Sequence, residues 1–305
     1  MALAKATGHG NFYCQINGQA GGYLESFTAP TIEIDKIEAN NGPDFQVKYA
    51  GGRVKFGKIK LVTNISEANA LWELIDSVMK KNCREFEAVF GVADQNYKSI
   101  REVDMIGCLM ESVSLSPLSA SEGKKFMQVT CELNASDVKY RNGTGAVIKG
   151  NLSSKAKGWQ TCYFDAVGVP GDIPAQCISK IDLPKHTVKI VDEHHGSFRL
   201  PTRNFGAVKC EGLKITGSYA SGGFEAARDY AVKLMYDGVL QESEFADWAV
   251  NIKDPSHKNV IGEVSFIQTA CSKFSLGEAK GNGDLAQWDM EFMCEESYVK
   301  INQKA

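Results

Sequence analysis

The chain has 305 residues and a formal net charge of −3, with 43% hydrophobic and 23% charged residues. That length suits two ordinary domains or one large one, and the composition is that of a globular protein able to bury real cores. The near-neutral balance supplies no basic field for gripping nucleic acid and no acidic tail.

The opening stretch MALAKATGHGNFY carries no long apolar run, so no secretion signal is expected. No segment approaches the roughly 18 apolar residues of a membrane span, and no membrane anchoring is expected.

GRVKFGKIKL (52–61) comes close to a phosphate-binding loop, with Gly52 followed after four residues by Gly57 and Lys58. The hydroxyl position is Ile59, however, and KIKLVTNI alternates as a half-buried strand. A phosphate loop must lead directly into a helix, whose N-terminal amides hold the anion. Gly57 is therefore expected at a bulge or tight bend, and the same role is expected for Gly206.

A helix is expected next, with Ala68, Leu71, Trp72, Ile75, Val78 and Met79 on one stripe. Ser66 stands at its cap, Glu67 in its first turn, and Lys80 and Lys81 in its last. A weaker stripe, Phe224, Ala227, Ala231, Leu234 and Met235, predicts a second helix. Most other segments read as strands, among them KFMQVTCELNAS and GEVSFIQTACSKFS.

The chain also repeats itself, which bears on the whole architecture. RVKFGKIKL (53–61) aligns with TRNFGAVKC (202–210), with Phe56-Gly57 on Phe205-Gly206. The two helical stripes follow in the same order, then FEAVFGVAD (86–94) against FADWAVNIKD (245–254). The segments 103–120 and 260–279 come next, and VTCELNASDVKY (129–140) matches MEFMCEESYVKI (290–301) last. We expect a mainly β (α+β) chain of two tandem antiparallel β-sandwich or barrel domains, each with one packed α-helix. They would span 1–143 and 159–305, joined by a Gly-, Ser- and Lys-rich linker at 144–158.

Little catalytic chemistry is legible. The nine cysteines include no C-x-x-C pair, which argues against a zinc ribbon or a disulfide framework and for reduced thiols. His194 and His195 are adjacent, and neighbours on a strand point to opposite faces, so they are read as part of a polar turn. Trp72, Tyr230, Trp248 and Trp288 fall on element patterns and are expected in cores or interfaces.

The run Gly52-Arg53-Val54-Lys55-Phe56-Gly57-Lys58-Ile59-Lys60-Leu61, followed by Leu71-Trp72, resembles the tail tube proteins of contractile-tailed bacteriophages and related contractile injection systems. That family carries a GR-x-K-x-G-x-I-x-L segment ahead of a helix containing Leu-Trp. The second half departs from the pattern at Pro201-Thr202-Arg203-Asn204-Phe205-Gly206, and no Leu-Trp follows.

The resemblance implies a structural, non-enzymatic subunit with no cofactor or metal. Such subunits form rings that stack into a pipe in the virion tail, assembled in the bacterial host cytoplasm. The implied partners are other copies of the chain, the tail sheath protein outside, and the tape measure protein and translocating DNA inside. Two copies per chain lead us to expect trimeric, pseudo-sixfold rings. The loops EANNGPDF and VDEHHGSF precede equivalent strands, so Asn40, Asn41, Gly42 and Pro43, with Glu193, His194, His195 and Gly196, are expected to contact the next ring. Rival readings are a tube initiator or terminator, a baseplate hub ring, the tube of a toxin-injection system, a carbohydrate- or host-binding β module, and an enzyme with duplicated lobes.

Overall fold

Strands make up most of the computed structural model, which describes residues 11–39, 48–65, 70–123, 125–148, 159–193, 202–219, 222–237, 245–277 and 286–302. The first half contains β1 (Asn11–Ile16), β2 (Gln19–Leu24), β3 (Ser26–Thr28), β4 (Ile32–Ala39), β5 (Lys48–Phe56) and β6 (Ile59–Asn64). Helix α1 (Ala70–Met79) follows, then β7 (Phe86–Ala93), β8 (Ser99–Leu115), β9 (Leu118–Ser119), β10 (Gln128–Asn134) and β11 (Asp137–Asn142). The second half contains β12 (Phe164–Val167), a short 3-10 helix (Ala175–Cys177), β13 (Ile178–Asp182), β14 (Lys185–Glu193), β15 (Thr202–Glu211) and β16 (Leu213–Ser218). It ends with α2 (Gly223–Asp237), β17 (Ala246–Lys253), β18 (Val260–Leu276) and β19 (Gln287–Ile301).

All strand pairings are antiparallel, and the first sheet runs β2-β1-β7-β8-β10-β6-β3. Its two ends are consecutive in the chain. Glu25, between β2 and β3, donates its N–H to the Val62 carbonyl at 2.9 Å, and the Thr63 hydroxyl donates to the Tyr23 carbonyl at 3.2 Å. The sheet thus curls back on itself into a nearly closed barrel, which removes most of its free edge. The β1–β2 hairpin turns on Asn17 and Gly18, with φ of 49° and 77°, as a tight two-residue turn requires.

The second sheet runs β12-β17-β18-β19-β16-β13-β9. Six strands follow the order of the first sheet, with β12 standing for β1, β17 for β7, β18 for β8, β19 for β10, β16 for β6 and β13 for β3, while β2 and β9 have no counterparts. Residues 168–177 bridge β12 to β13 and bury Val169 and Ile173.

Each core follows from alternation. Ile59 and Leu61 on β6 and Val129, Cys131 and Leu133 on β10 point inward, and each is fully buried. Complete burial of such an aliphatic side chain stabilises by about 1.5–3 kcal/mol. Helix α1 buries Leu71, Trp72, Leu74, Ile75, Val78 and Met79, apolar around most of its circumference, because it packs on β1 and β2 and on β19 of the second sheet. Helix α2 turns the small residues Ala227 and Ala231 inward against β16 and β18 and keeps a more exposed outer face. Trp248 and Trp288 are buried as expected, and Tyr230 is half-buried against Gly171. The cap and first-turn positions Ser66 and Glu67 lie outside the described residues. Lys80 and Lys81 follow α1 rather than forming its last turn.

The two long hairpins correct the alignment of Phe56-Gly57 with Phe205-Gly206. In β4–β5, Ile34 faces Val54 and a bulge precedes the Lys36–Gly51 pair. In β14–β15, Val188 faces Val208 and a bulge precedes the Ile190–Phe205 pair. Gly206 therefore stands where Gly52 stands. A Cβ on Gly52 would lie 2.8 Å from the Asp35 carbonyl oxygen, and one on Gly206 would lie 3.0 Å from that of Lys189. Gly57 sits in the turn between β5 and β6, where its N–H donates to the Thr31 carbonyl at 2.8 Å. Its positional counterpart is Gly212, between β15 and β16. The shared Phe-Gly dipeptide drew the alignment five residues out of register; the pair that coincides in space is Val54-Lys55 with Val208-Lys209.

Candidate assembly interface

The two halves of the chain meet along two seams. In the first, β14 of the second half pairs with β8 of the first, His186 opposite Val113 and Thr187 opposite Ser112, which brings the β14–β15 hairpin into the first sheet. In the second, β9 pairs with β13, the Met127 N–H donates to the Trp159 carbonyl at 2.7 Å, and the Trp159 ring fills the space a Cβ on Gly262 would need. Lys81, just past α1, adds an ion pair at 2.6 Å to Glu296 of β19.

The outward face of the sheets carries charge in neutralised pairs. Lys58 holds Glu111 at 2.5 Å, and the hydrogen bond to that carboxylate is the main reason its ammonium pKa is raised. Lys185 lies 3.8 Å from Glu132, Lys214 lies 3.0 Å from Asp289, and Lys273 lies 3.0 Å from Glu291. Lys58 is thus committed to a carboxylate at the start of a strand. It lines a shallow cleft of about 510 Å³ with Glu111, Asn134, Lys189 and Lys209, where the β14–β15 hairpin splays away from the sheet.

Beneath the first seam lies a cluster that sequence spacing could not reveal. His186 Nε2 is 3.1 Å from the Ser297 hydroxyl, and the Cys210 thiol lies 3.8 Å from the same oxygen. A hydrogen bond from Cys294 holds the Cys210 thiol below its ordinary pKa against the opposing effect of burial, with His186 adding to the fall. The Cys294 thiol is driven up by the same contact and by burial. Residues 186, 210, 294 and 297 come from three strands, β14, β15 and β19, which no local motif connects. All nine cysteines are free thiols. Among the described residues, no group of three or more His, Cys, Asp or Glu side chains is gathered as for a metal, and no helix is long and apolar enough to cross a membrane.

Of the residues expected to touch a neighbouring ring, Glu193 is the last residue of β14, exposed and opposite Thr202. Asn40, Asn41, Gly42, Pro43, His194, His195 and Gly196 lie outside the described residues. In the sequence they fall between β4 and β5 and between β14 and β15.

No protein-family model matches the chain. No curated protein matches it either. Among solved structures, it is similar to the tube-terminating cap of the anti-feeding prophage, at 14% identity and a TM-score of 0.40, over 47% of this chain and 95% of that one. It is also similar to a chain of the sheath–tube complex of the extracellular contractile injection system PVC, at 14% identity and a TM-score of 0.38, over 43% and 88%. A third likeness is to Hcp1 from Flavobacterium johnsoniae, at 9% identity and a TM-score of 0.26, over 45% and 94%.

Proposed function

We propose that the chain is a structural subunit of a tail tube of the kind found in contractile-tailed bacteriophages, built by duplication of one barrel domain. In this reading three chains close into a ring of six barrels, and rings stack into a pipe whose lumen passes the genome. The observation that carries it is that the two sheets share an order of six strands and are joined by a strand of the second half added to the sheet of the first. A contact that joins unlike edges of like units repeats head to tail, and it ends in a ring when the rotation closes. The sequence run 52–61 with Leu71-Trp72 supports the same reading.

The charge pattern suits a conduit. Each lysine that contacts DNA phosphate adds affinity through counterion release and would hold the strand. Lysines already paired with Glu111, Glu132, Asp289 and Glu291 would let it slide. The tail sheath protein would cover the outside, and the tape measure protein would occupy the bore before DNA.

Negative-stain microscopy of the purified protein tests the proposal. Annular particles with a central hole, stacking into tubes at high concentration, are the expected result. Particles of single-chain size at every concentration would contradict it.

A further inference from the structure

The β8–β14 seam occurs once among the described residues, and the strands that would make it a second time are both present, each with one edge that no described strand pairs with. β8 is paired on both sides near its C-terminal end: β10 covers 109–115 from one side and β14 meets Ser112 and Val113 from the other. Among the described residues, its counterpart β18 pairs only with β19 along 270–276, since the pairing with β17 ends at Thr269. Likewise β14 lies between β15 and β8, whereas β4 pairs with β5 and, among the described residues, with no other strand.

We infer that β4 of one chain adds to β18 of a second copy, with Ile32 opposite Phe274 and Glu33 opposite Lys273. This rests on the ring reading above and specifies its contact. The register follows from two bulges. The β4–β5 and β14–β15 bulges set Ile32, Glu33 and Ile34 in the places of His186, Thr187 and Val188. The register shift of β10 on β8 falls beside Glu132, and that of β19 on β18 beside Lys273, the partner of Glu291; this sets Lys273 and Phe274 in the places of Ser112 and Val113.

Burial separates the filled seam from the open one. At the internal seam His186 and Val188 are each 2% exposed and Leu115 is 7% exposed. Their counterparts Ile32, Ile34 and Leu276 are 51%, 58% and 56% exposed. Large apolar side chains left open at both matching edges are what a strand-addition contact would cover. The internal seam favours a second copy as the occupant, because there β14 of this chain already sits on the matching strand β8; Glu33 on the donor strand would also face Lys273, beside its partner Glu291. The two edges differ, so the contact propagates from chain to chain and cannot stop at a symmetric dimer.

The test mixes two single variants, Glu33→Cys and Lys273→Cys, under mild oxidation. Directly opposed antiparallel residues have Cα atoms about 4.5–5.5 Å apart, within reach of a disulfide. A covalent dimer in the mixture, and in neither variant alone, is expected; the separate variants control for the native cysteines. A third variant, Ile34→Asp, places a charge on the donor strand and should leave single chains with an unchanged far-ultraviolet dichroism spectrum. Rings that form without a 33–273 cross-link, or that persist in Ile34→Asp, would overturn this contact while leaving the ring reading in place. A native chain that stays monomeric would overturn both.

Discussion

Glu102 shows how single residues hold the first barrel in shape. Its carboxylate, 7% exposed, accepts hydrogen bonds from the Tyr13 hydroxyl at 2.6 Å and the Ser99 hydroxyl at 2.5 Å, and pairs with Arg141 at 2.7 Å. One acidic group thereby ties β1 and β11 to β8. Burial pushes its pKa up, yet the two hydroxyl donors and the Arg141 charge more than offset this, so the carboxyl sits below its ordinary value. The unfolded chain then binds more protons than the folded one between the two values. The contribution is complete above the unfolded carboxylate pKa of about 4.3 and is lost as pH falls through the lower folded value. Tyr13→Phe removes one donor from a buried acceptor and should cost about 1–2 kcal/mol in urea unfolding at neutral pH. It should also flatten the acid limb of the stability profile, because less then holds the carboxyl down. An unchanged midpoint and acid limb would show that the network is incidental.

At the scale of elements, the hairpins β4–β5 and β14–β15 carry the main functional expectation. Removing 40–43 or 194–196 takes out residues beyond the last described strand pair of each hairpin and leaves both bulges and the seam strands intact. Single rings should still form, with loss of stacking into tubes, as seen by microscopy and sedimentation. Tubes of normal length would refute a role for these residues between rings. Much of this level was legible in the sequence, since period-two alternation at Ile59 and Leu61 gave a strand and the 3.6-residue stripe ending at Met79 gave a helix. Register was not legible: Phe56-Gly57 and Phe205-Gly206 look alike in text, while the bulges that align the hairpins depend on which residues face one another across strands. The Cys210, His186, Ser297 and Cys294 cluster was hidden for a related reason, as pairing across β14, β15 and β19 brings together residues far apart in the chain.

At the scale of the whole molecule, the question is what two sheets sharing an order of six strands in a single chain are for. Pairing within the chain turns one of two neighbouring contacts into an intramolecular one, at an effective concentration that dilution cannot lower. In the proposed ring, the contact that remains is the heterologous one between β4 and β18, made between chains. Closure with three such contacts removes every open edge of this kind, whereas failure to close leaves an extending filament. Native mass measurement of the smallest ring tests the central claim most directly. Three chains of 33.3 kDa each per ring is the expected result; six chains in a single-layer ring would contradict it.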